Sequence, residues 1–385
     1  MPIKVNHIIT RLIVGGAQEN TLHTADMLSK EHYQVSVISG PQTGSEGSLI
    51  GEFQEKGISL TILPELLREV SPVNDLRALW KLYRLLNQGK YDIVHTHSSK
   101  AGILGRIAAR LAGVPVIVHT VHGWSFHESM PSRTRQMFIA LERTCARFTD
   151  KLVVVTRRDI DKGLRAGIGH PEQYTLIRSA IPLEVFDPSR YDQTAVRHGL
   201  GIPLDALVLG NVGRFSAQKN PLAWVKVAGH VAQSLPECHF LLVGDGPLRN
   251  QVEAALKTEG LFERTVLTGL RRDVPQLMRA IDVFLLTSLW EGLPRVLPQA
   301  MSMGLPIISS RVDGSAEVIS DGENGFLFAT DDIEGMSQAC VRLLKNKSQR
   351  KTMGEAGKKT AHQEFDVRLM IEQIEALYSD LVKIV

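Results

Sequence analysis

Residues 287–325 read TSLWEGLPRVLPQAMSMGLPIISSRVDGSAEVISDGENG, and this stretch decides the fold. It follows the apolar run Ile281-Asp282-Val283-Phe284-Leu285-Leu286, which reads as a buried parallel strand. Glu291 comes next, in a turn with Gly292, Leu293 and Pro294, and a helical segment then carries Gln299. A second buried strand over 306–310 ends at the turn Asp313-Gly314-Ser315. In open α/β sheets, ligands bind outside the carboxyl ends of the strands. Glu291, Gln299 and the backbone amides of these turns are therefore expected around one crevice. Such a polar cluster suits an anionic, hydroxyl-rich ligand, of the kind a nucleotide sugar represents.

The same alternation of strand and helix extends outward in both directions. Upstream, strands are expected over 5–9, 35–38, 92–95, 116–119, 152–155 and 174–177, with Gly15-Gly16-Ala17 opening a helix over about 19–30. The pattern restarts over 206–211, 239–243 and 264–267 before reaching the opening stretch. Repeated strand–helix units mean parallel sheets with helices on both faces. The expectation is two Rossmann-like, doubly wound α/β domains, residues 1–190 and 200–366, facing each other across a cleft. The Pro- and Gly-containing stretch 181–203 is the expected linker. An amphipathic last helix, 367–385, carries Leu369, Ile371, Ile374, Leu377, Leu381 and Val382 and is expected to pack back on the first domain.

Composition bounds the class. The chain has 385 residues, 43% hydrophobic and 22% charged, which is ordinary for a globular protein of two domains. Cys145, Cys238 and Cys340 are scattered and odd in number, so a disulfide framework is not expected and a reducing, cytoplasmic setting is. The N-terminal MPIKVNHIITRL does not read as a signal peptide, nor does any apolar run reach the length of a membrane span. The net charge of +3 conceals a basic region. Between residues 98 and 165, twelve Lys or Arg stand against Glu128, Glu142, Asp150, Asp159 and Asp161. Solvated helix faces are one reading of it. An anionic membrane surface, at the inner face of the cell membrane, is the other. The basic residues are not interleaved with aromatics, so no nucleic-acid partner is expected.

Four groups of residues carry chemistry. Gly15 and Gly16, between a strand and a helix, offer close backbone approach and unpaired amides to a phosphate; a plain turn is the alternative. Arg214 and Lys219 follow a strand end in GRFSAQKN and suit a diphosphate, the first bidentately and the second as a point charge; two merely exposed loop cations are the alternative. Gly244 and Gly246, in VGDGP, make a tight turn sufficient in itself, with backbone lining of a nucleobase as a supplementary role. His95 and His119 read as core histidines, whereas His122, before Gly123 in a loop, can face a ligand. No histidine or carboxylate spacing makes a metal site, so neither metal nor other cofactor is expected.

With these motifs assembled, the chain resembles the family 4 glycosyltransferases, retaining enzymes of the GT-B fold. The likeness runs through the GGA loop, HTHSSKAGILGRIAAR, TVHGWSF, GRFSAQKN, LLVGDGP, TGLRRDV and EGLPRVLPQAMSMGLPII. It implies Arg214 and Lys219 on the donor diphosphate, Glu291 near the donor sugar, Gly16 amides on phosphate, His122 beside the transferred sugar, and no required metal. The family motif places a second glutamate where this chain has Gln299, which can still hydrogen-bond a ribose. The segment around residues 95–110 also resembles transferases of bacterial exopolysaccharide and capsule assembly, whose acceptors are often polyprenyl-linked. The expected activity is hexosyl transfer from a UDP-sugar to an acceptor hydroxyl, a lipid-linked or other saccharide, with retention. A nucleotide-sugar epimerase of the same fold and a non-catalytic nucleotide-sugar-binding protein are the alternatives.

Overall fold

The computed structural model describes residues 1–42, 44, 46–126 and 130–384. Two compact units result: Met1–Ser179 with the C-terminal segment from Val367, and Ala180–Asp366. Among the described residues, the first unit is built on a parallel sheet of β1 (Ile3–Ile9), β2 (Tyr33–Ser39), β3 (Ser59–Ile62), β4 (Ile93–His97), β5 (Val116–Val121), β6 (Lys151–Val154) and β7 (Tyr174–Leu176), in the order β3-β2-β1-β4-β5-β6-β7. The second holds β8 (Val208–Val212), β9 (His239–Val243), β10 (Thr265–Leu267), β11 (Val283–Leu286), β12 (Ile307–Ser310) and β13 (Gly325–Phe328), ordered β10-β9-β8-β11-β12-β13. Central strands such as β4, β5 and β11 are buried along their whole length, because helices cover both faces.

Sequence patterning located most strands and missed two. β3 is an edge strand with most of its residues exposed, so no apolar run marks it. β13 is a four-residue strand that follows a turn. The first helix spans Gly16–Met27 rather than 19–30, because Gly15 is already its N-cap.

The first unit ends at Ser179, earlier than the expected 190, and the expected linker belongs to the second unit. Physical ties explain the difference. Arg197 is buried and donates to the Ala280 carbonyl at 2.9 Å and to Asp282 Oδ2 at 2.8 Å. Ser302 Oγ donates to the Phe186 carbonyl at 3.0 Å. Proline and glycine in 181–203 make turns here, including a helix over Gln193–Gly199 capped by Asp192.

The last helix, Val367–Ile384, lies in the first unit. Val367, Met370, Ile371, Ile374, Tyr378 and Leu381 form its buried stripe. Glu375 accepts from the Ser29 amide at 2.8 Å, which fixes the helix against the end of the Gly16–Met27 helix.

Candidate active site

In the second sheet the strand order reverses between β8 and β11, the switch point at which open α/β sheets hold ligands. The two loops leaving these strands carry Arg214, Lys219 and Glu291. Lys219 Nζ forms an ion pair with Glu291 Oε1 across the gap between them. The same oxygen accepts from Ser288 Oγ at 2.7 Å, and Gln218 Nε2 lies 3.5 Å from the other. Gln218 Nε2 also donates to the Trp290 carbonyl at 3.0 Å, and the Gln218 backbone carbonyl accepts from the Leu289 amide at 2.8 Å. Thr287 Oγ1 donates to the Asn220 carbonyl at 3.0 Å. Asn220 has φ +48, a left-handed turn that redirects the chain into the helix Pro221–Ser234. Glu291 is thus a buried carboxylate with its charge matched by lysine and its orientation fixed.

Arg214 is exposed on the same loop as Lys219. The turn at Gly244 and Gly246 forms the floor beneath it: the Gly213 amide donates to Val243 and the Phe215 amide to Asp245, both at 2.9 Å. Gly244 and Gly246 have φ +136 and +159, and a Cβ on either would lie 2.1 Å from the Gly213 carbonyl or 2.5 Å from that of Phe215. Both glycines are needed to seat the arginine loop.

The turn 291–294 is packed equally closely. A Cβ on Gly314 would come within 1.8 Å of the Gly292 carbonyl, and Leu293 and Pro294 are buried. Gln299 sits partly exposed on the helix Val296–Ser302, and its side-chain amide makes no hydrogen bond to a described residue. It is therefore outside the Glu291 network. Arg295, which sequence reasoning passed over, is buried and donates to the Ala180 carbonyl at 2.9 Å. Nothing in its spacing signalled that role.

In the first unit, the order reverses between β1 and β4. Gly15 is extended at φ −176, and Gly16 begins the helix exposed. Ser98, left-handed at φ +60, bonds Thr10 Oγ1 at 2.8 Å, so the loops after β1 and β4 are tied together.

Beside them lies a histidine cluster. Parallel register sets His7 on β1 opposite His95 on β4, and His97 follows on the same face. His7 Nδ1 lies 2.9 Å from His97 Nε2, and His97 Nδ1 lies 3.2 Å from His122 Nε2. His95 bonds Tyr378 Oη at 2.5 Å through Nδ1 and Thr120 Oγ1 at 2.6 Å through Nε2. His119 points to the opposite face, where Gly102 leaves room: a Cβ there would lie 2.5 Å from its ring. Burial, the largest cause, pushes His7 down to about 3 and holds His95, His97 and His119 well below their ordinary range. These rings are neutral at physiological pH. His7, His95 and His97 bring nitrogens within 4.8 Å of one another, close enough to hold an ion, a grouping invisible to sequence spacing. Five of their six nitrogens are already hydrogen-bonded; the sixth is His7 Nε2. His122 is partly exposed beyond β5.

Comparison with known proteins agrees with this geometry. Residues 206–346 match the family described as Glycosyl transferases group 1, and 15–179 match the Glycosyl transferase 4-like domain. The chain is 34% identical to an Escherichia coli UDP-Gal:alpha-D-GlcNAc-diphosphoundecaprenol alpha-1,3-galactosyltransferase, over 99% of this chain and 97% of that one. It is 21% identical to the capsular polysaccharide biosynthesis glycosyltransferase CapM of Staphylococcus aureus, over 93% of each. Among solved structures, HepE from Anabaena in complex with UDP-glucose superposes with a TM-score of 0.84 at 22% identity, covering 98% of this chain and 100% of that one. Two parallel-sheet units of the GT-B kind, both family matches and a near-full-length relative agree: the chain belongs to the group 1, family 4 glycosyltransferases.

Proposed function

We propose that this glycosyltransferase moves a hexosyl group from a UDP-sugar to a hydroxyl of a polyprenyl-diphosphate-linked saccharide, with retention at the anomeric carbon. The observation that carries the reading is the 34% identity, over nearly the whole of both chains, to a UDP-galactose-dependent enzyme named for a diphosphoundecaprenol acceptor. In this reading, Arg214 and Lys219 meet the negative charge that develops on the leaving diphosphate. Glu291 holds a donor-sugar hydroxyl, Gln299 the ribose, and the amides at Gly15 and Gly16 a phosphate. Engaged by Lys219 and Ser288, the Glu291 carboxylate is a poor nucleophile. That favours a route in which the departing phosphate deprotonates the acceptor over a covalent intermediate on Glu291. No step calls for a metal. An epimerase or a non-catalytic binder has no such support from the family. Purified protein incubated with labelled nucleotide sugars and cell-envelope lipid extract tests the reading. Transfer of label from a UDP-hexose to a lipid fraction is expected; a free epimerised nucleotide sugar with no lipid product overturns it.

A lipid-linked acceptor calls for a protein working at the inner membrane face. No helix among the described residues is long and apolar enough to cross a membrane. Of the basic residues in 98–165, Arg106 is internal, paired with Glu142 at 2.6 Å, while Arg110, Arg133, Arg143, Arg147, Arg157, Arg158 and Arg165 are exposed. Glu128, one of the acids set against them, lies outside the described residues. On the helix Pro72–Gly89, Val73, Leu76 and Trp80 face outward at one-stripe spacing, and Arg84 stacks 4.8 Å over Trp80. An apolar stripe edged by cations suits an anionic bilayer surface. Vesicle sedimentation should show binding that needs anionic lipid and weakens as salt rises. Equal, negligible binding in all conditions removes the membrane and leaves the donor site standing.

A further inference from the structure

The chain of rings His7–His97–His122 has a direction. A neutral imidazole carries one proton, so His97, bonded at both nitrogens, donates once and accepts once. Two arrangements satisfy this. In one, His122 donates from Nε2 to His97, which donates to His7; His7 must then carry its own proton on Nε2. That nitrogen is buried and has no hydrogen-bond partner among the described residues. In the other, His7 donates from Nδ1 to His97 Nε2, and His97 donates from Nδ1 to His122 Nε2. The nitrogen left over on His7 is then a bare lone pair. Among backbone groups an orphaned buried N–H is a rarer defect than an under-satisfied acceptor; carried over to the imidazole, the same preference favours the second arrangement.

We propose that His7 and His97 are positioning residues that lock the tautomer of His122, keeping its proton on Nδ1 so that it acts as a hydrogen-bond donor and not as a base. The statement about function rests on the transferase reading above together with the family resemblance, which implies His122 beside the transferred sugar; the statement about the tautomer does not. A donor at this point grips a sugar hydroxyl without competing for the acceptor proton, which the departing phosphate takes. Burial of His7 and His97 keeps both rings singly protonated, which the relay requires. The neighbouring chain Tyr378–His95–Thr120 is oriented by the same logic. Tyr378 is fully buried and its hydroxyl donates to His95 Nδ1, leaving His95 to donate from Nε2 to Thr120 beside His122.

Selective nitrogen-15 labelling of the histidines in the full-length protein reads the tautomer from long-range proton–nitrogen correlations, with His122 assigned by its disappearance in His122→Gln. His122 protonated on Nδ1 is expected in the unsubstituted protein. His97→Phe should release it to a mixture of tautomers and lower kcat about tenfold, the worth of one hydrogen bond, with donor KM nearly unchanged. His97→Gln, which keeps one donor and one acceptor, should recover most of that loss. His7→Phe, one ring further from the ligand, should release the tautomer as well and serves if His97→Phe does not fold. Protonation of His122 on Nε2 in the unsubstituted protein overturns the proposal, as does Nδ1 protonation that persists in folded His97→Phe or His7→Phe. A protein with the expected tautomer but no transfer to lipid contradicts the function and leaves the relay intact.

Discussion

Glu291 and Lys219 do not act as separate residues, because each is the other's partner in a poorly hydrated setting. Removing Lys219 leaves a buried carboxylate supported, among the described residues, by Ser288 and Gln218; removing Glu291 frees the lysine from the position in which it would meet a diphosphate. Lys219→Ala and Glu291→Ala should each cut kcat/KM at least tenfold, by about 1.5–3 kcal/mol, yet the double variant should be little worse than either alone. A coupling of about 0.5–3 kcal/mol is the range for such contacts. Strict additivity in a double-mutant cycle would show that the two residues contribute to transfer independently and that the ion pair itself adds nothing. Gln299, outside that network, should behave differently: Gln299→Ala raises donor KM, whereas Glu291→Ala lowers kcat. The opposite split would reverse the two assignments. Glu291 was legible in the sequence because an apolar run, an acid and a Gly-Leu-Pro turn are local. Its bond to Lys219 was not, since the two are 72 residues apart and only sheet order brings their loops together. His7 was missed for the same reason: the register of β1 on β4 is a property of the fold.

At the scale of the element, the helix Val367–Ile384 shows what spacing can and cannot give. An amphipathic stripe was readable, and Ile371, Ile374 and Leu381 do face inward; Leu369, Leu377 and Val382 are only partly covered. Tyr378 gave no apolar signal of its own, yet it is the fully buried anchor, its ring 5.8 Å from that of His95. Each buried isoleucine contributes about 1.5–3 kcal/mol, which explains why the helix stays with the first unit after the chain has left it for the second. Tyr378→Phe keeps this packing and removes only the hydroxyl, so His95 Nδ1 becomes an unsatisfied buried acceptor. The expected loss is about 1–3 kcal/mol in urea unfolding, with far-UV circular dichroism unchanged. A stop at residue 367 removes the entire stripe and should abolish the first unit's cooperative unfolding while the second still melts. Equal stability of Tyr378→Phe and the unsubstituted protein would mean that the hydroxyl bond contributes nothing net.

For the molecule as a whole, the alternation of strands and helices made two parallel sheets legible, whereas the boundary was placed too late because turn residues in 181–203 resemble a linker until Arg197 is seen bonded to Asp282. The same division assigns buried histidines unevenly. His7, His95, His97 and His119 all lie in the first unit with proton affinities lowered by burial. In the second, His239 is lowered as well but is only partly buried. When a histidine's folded pKa is depressed, the unfolded chain binds more protons at acid pH, so stability falls as pH falls below the unfolded value of about 6.5. For His7 the window runs from about 6.5 down to about 3. At pH 5 its ring alone should cost about 2 kcal/mol, from roughly 1.5 pH units at 1.36 kcal/mol each; the other three act in the same direction. Hydrogen exchange measured by peptide at pH 7 and pH 5, corrected for intrinsic rates, should therefore show the first unit losing protection well before the second. His7→Phe should remove its share of that dependence, because a ring that cannot bind a proton gives the unfolded state no advantage in acid, and the other three rings should keep the remainder. Uniform loss of protection across both units, or a first unit that gains protection on acidification, would contradict the assignment of these rings as buried and neutral.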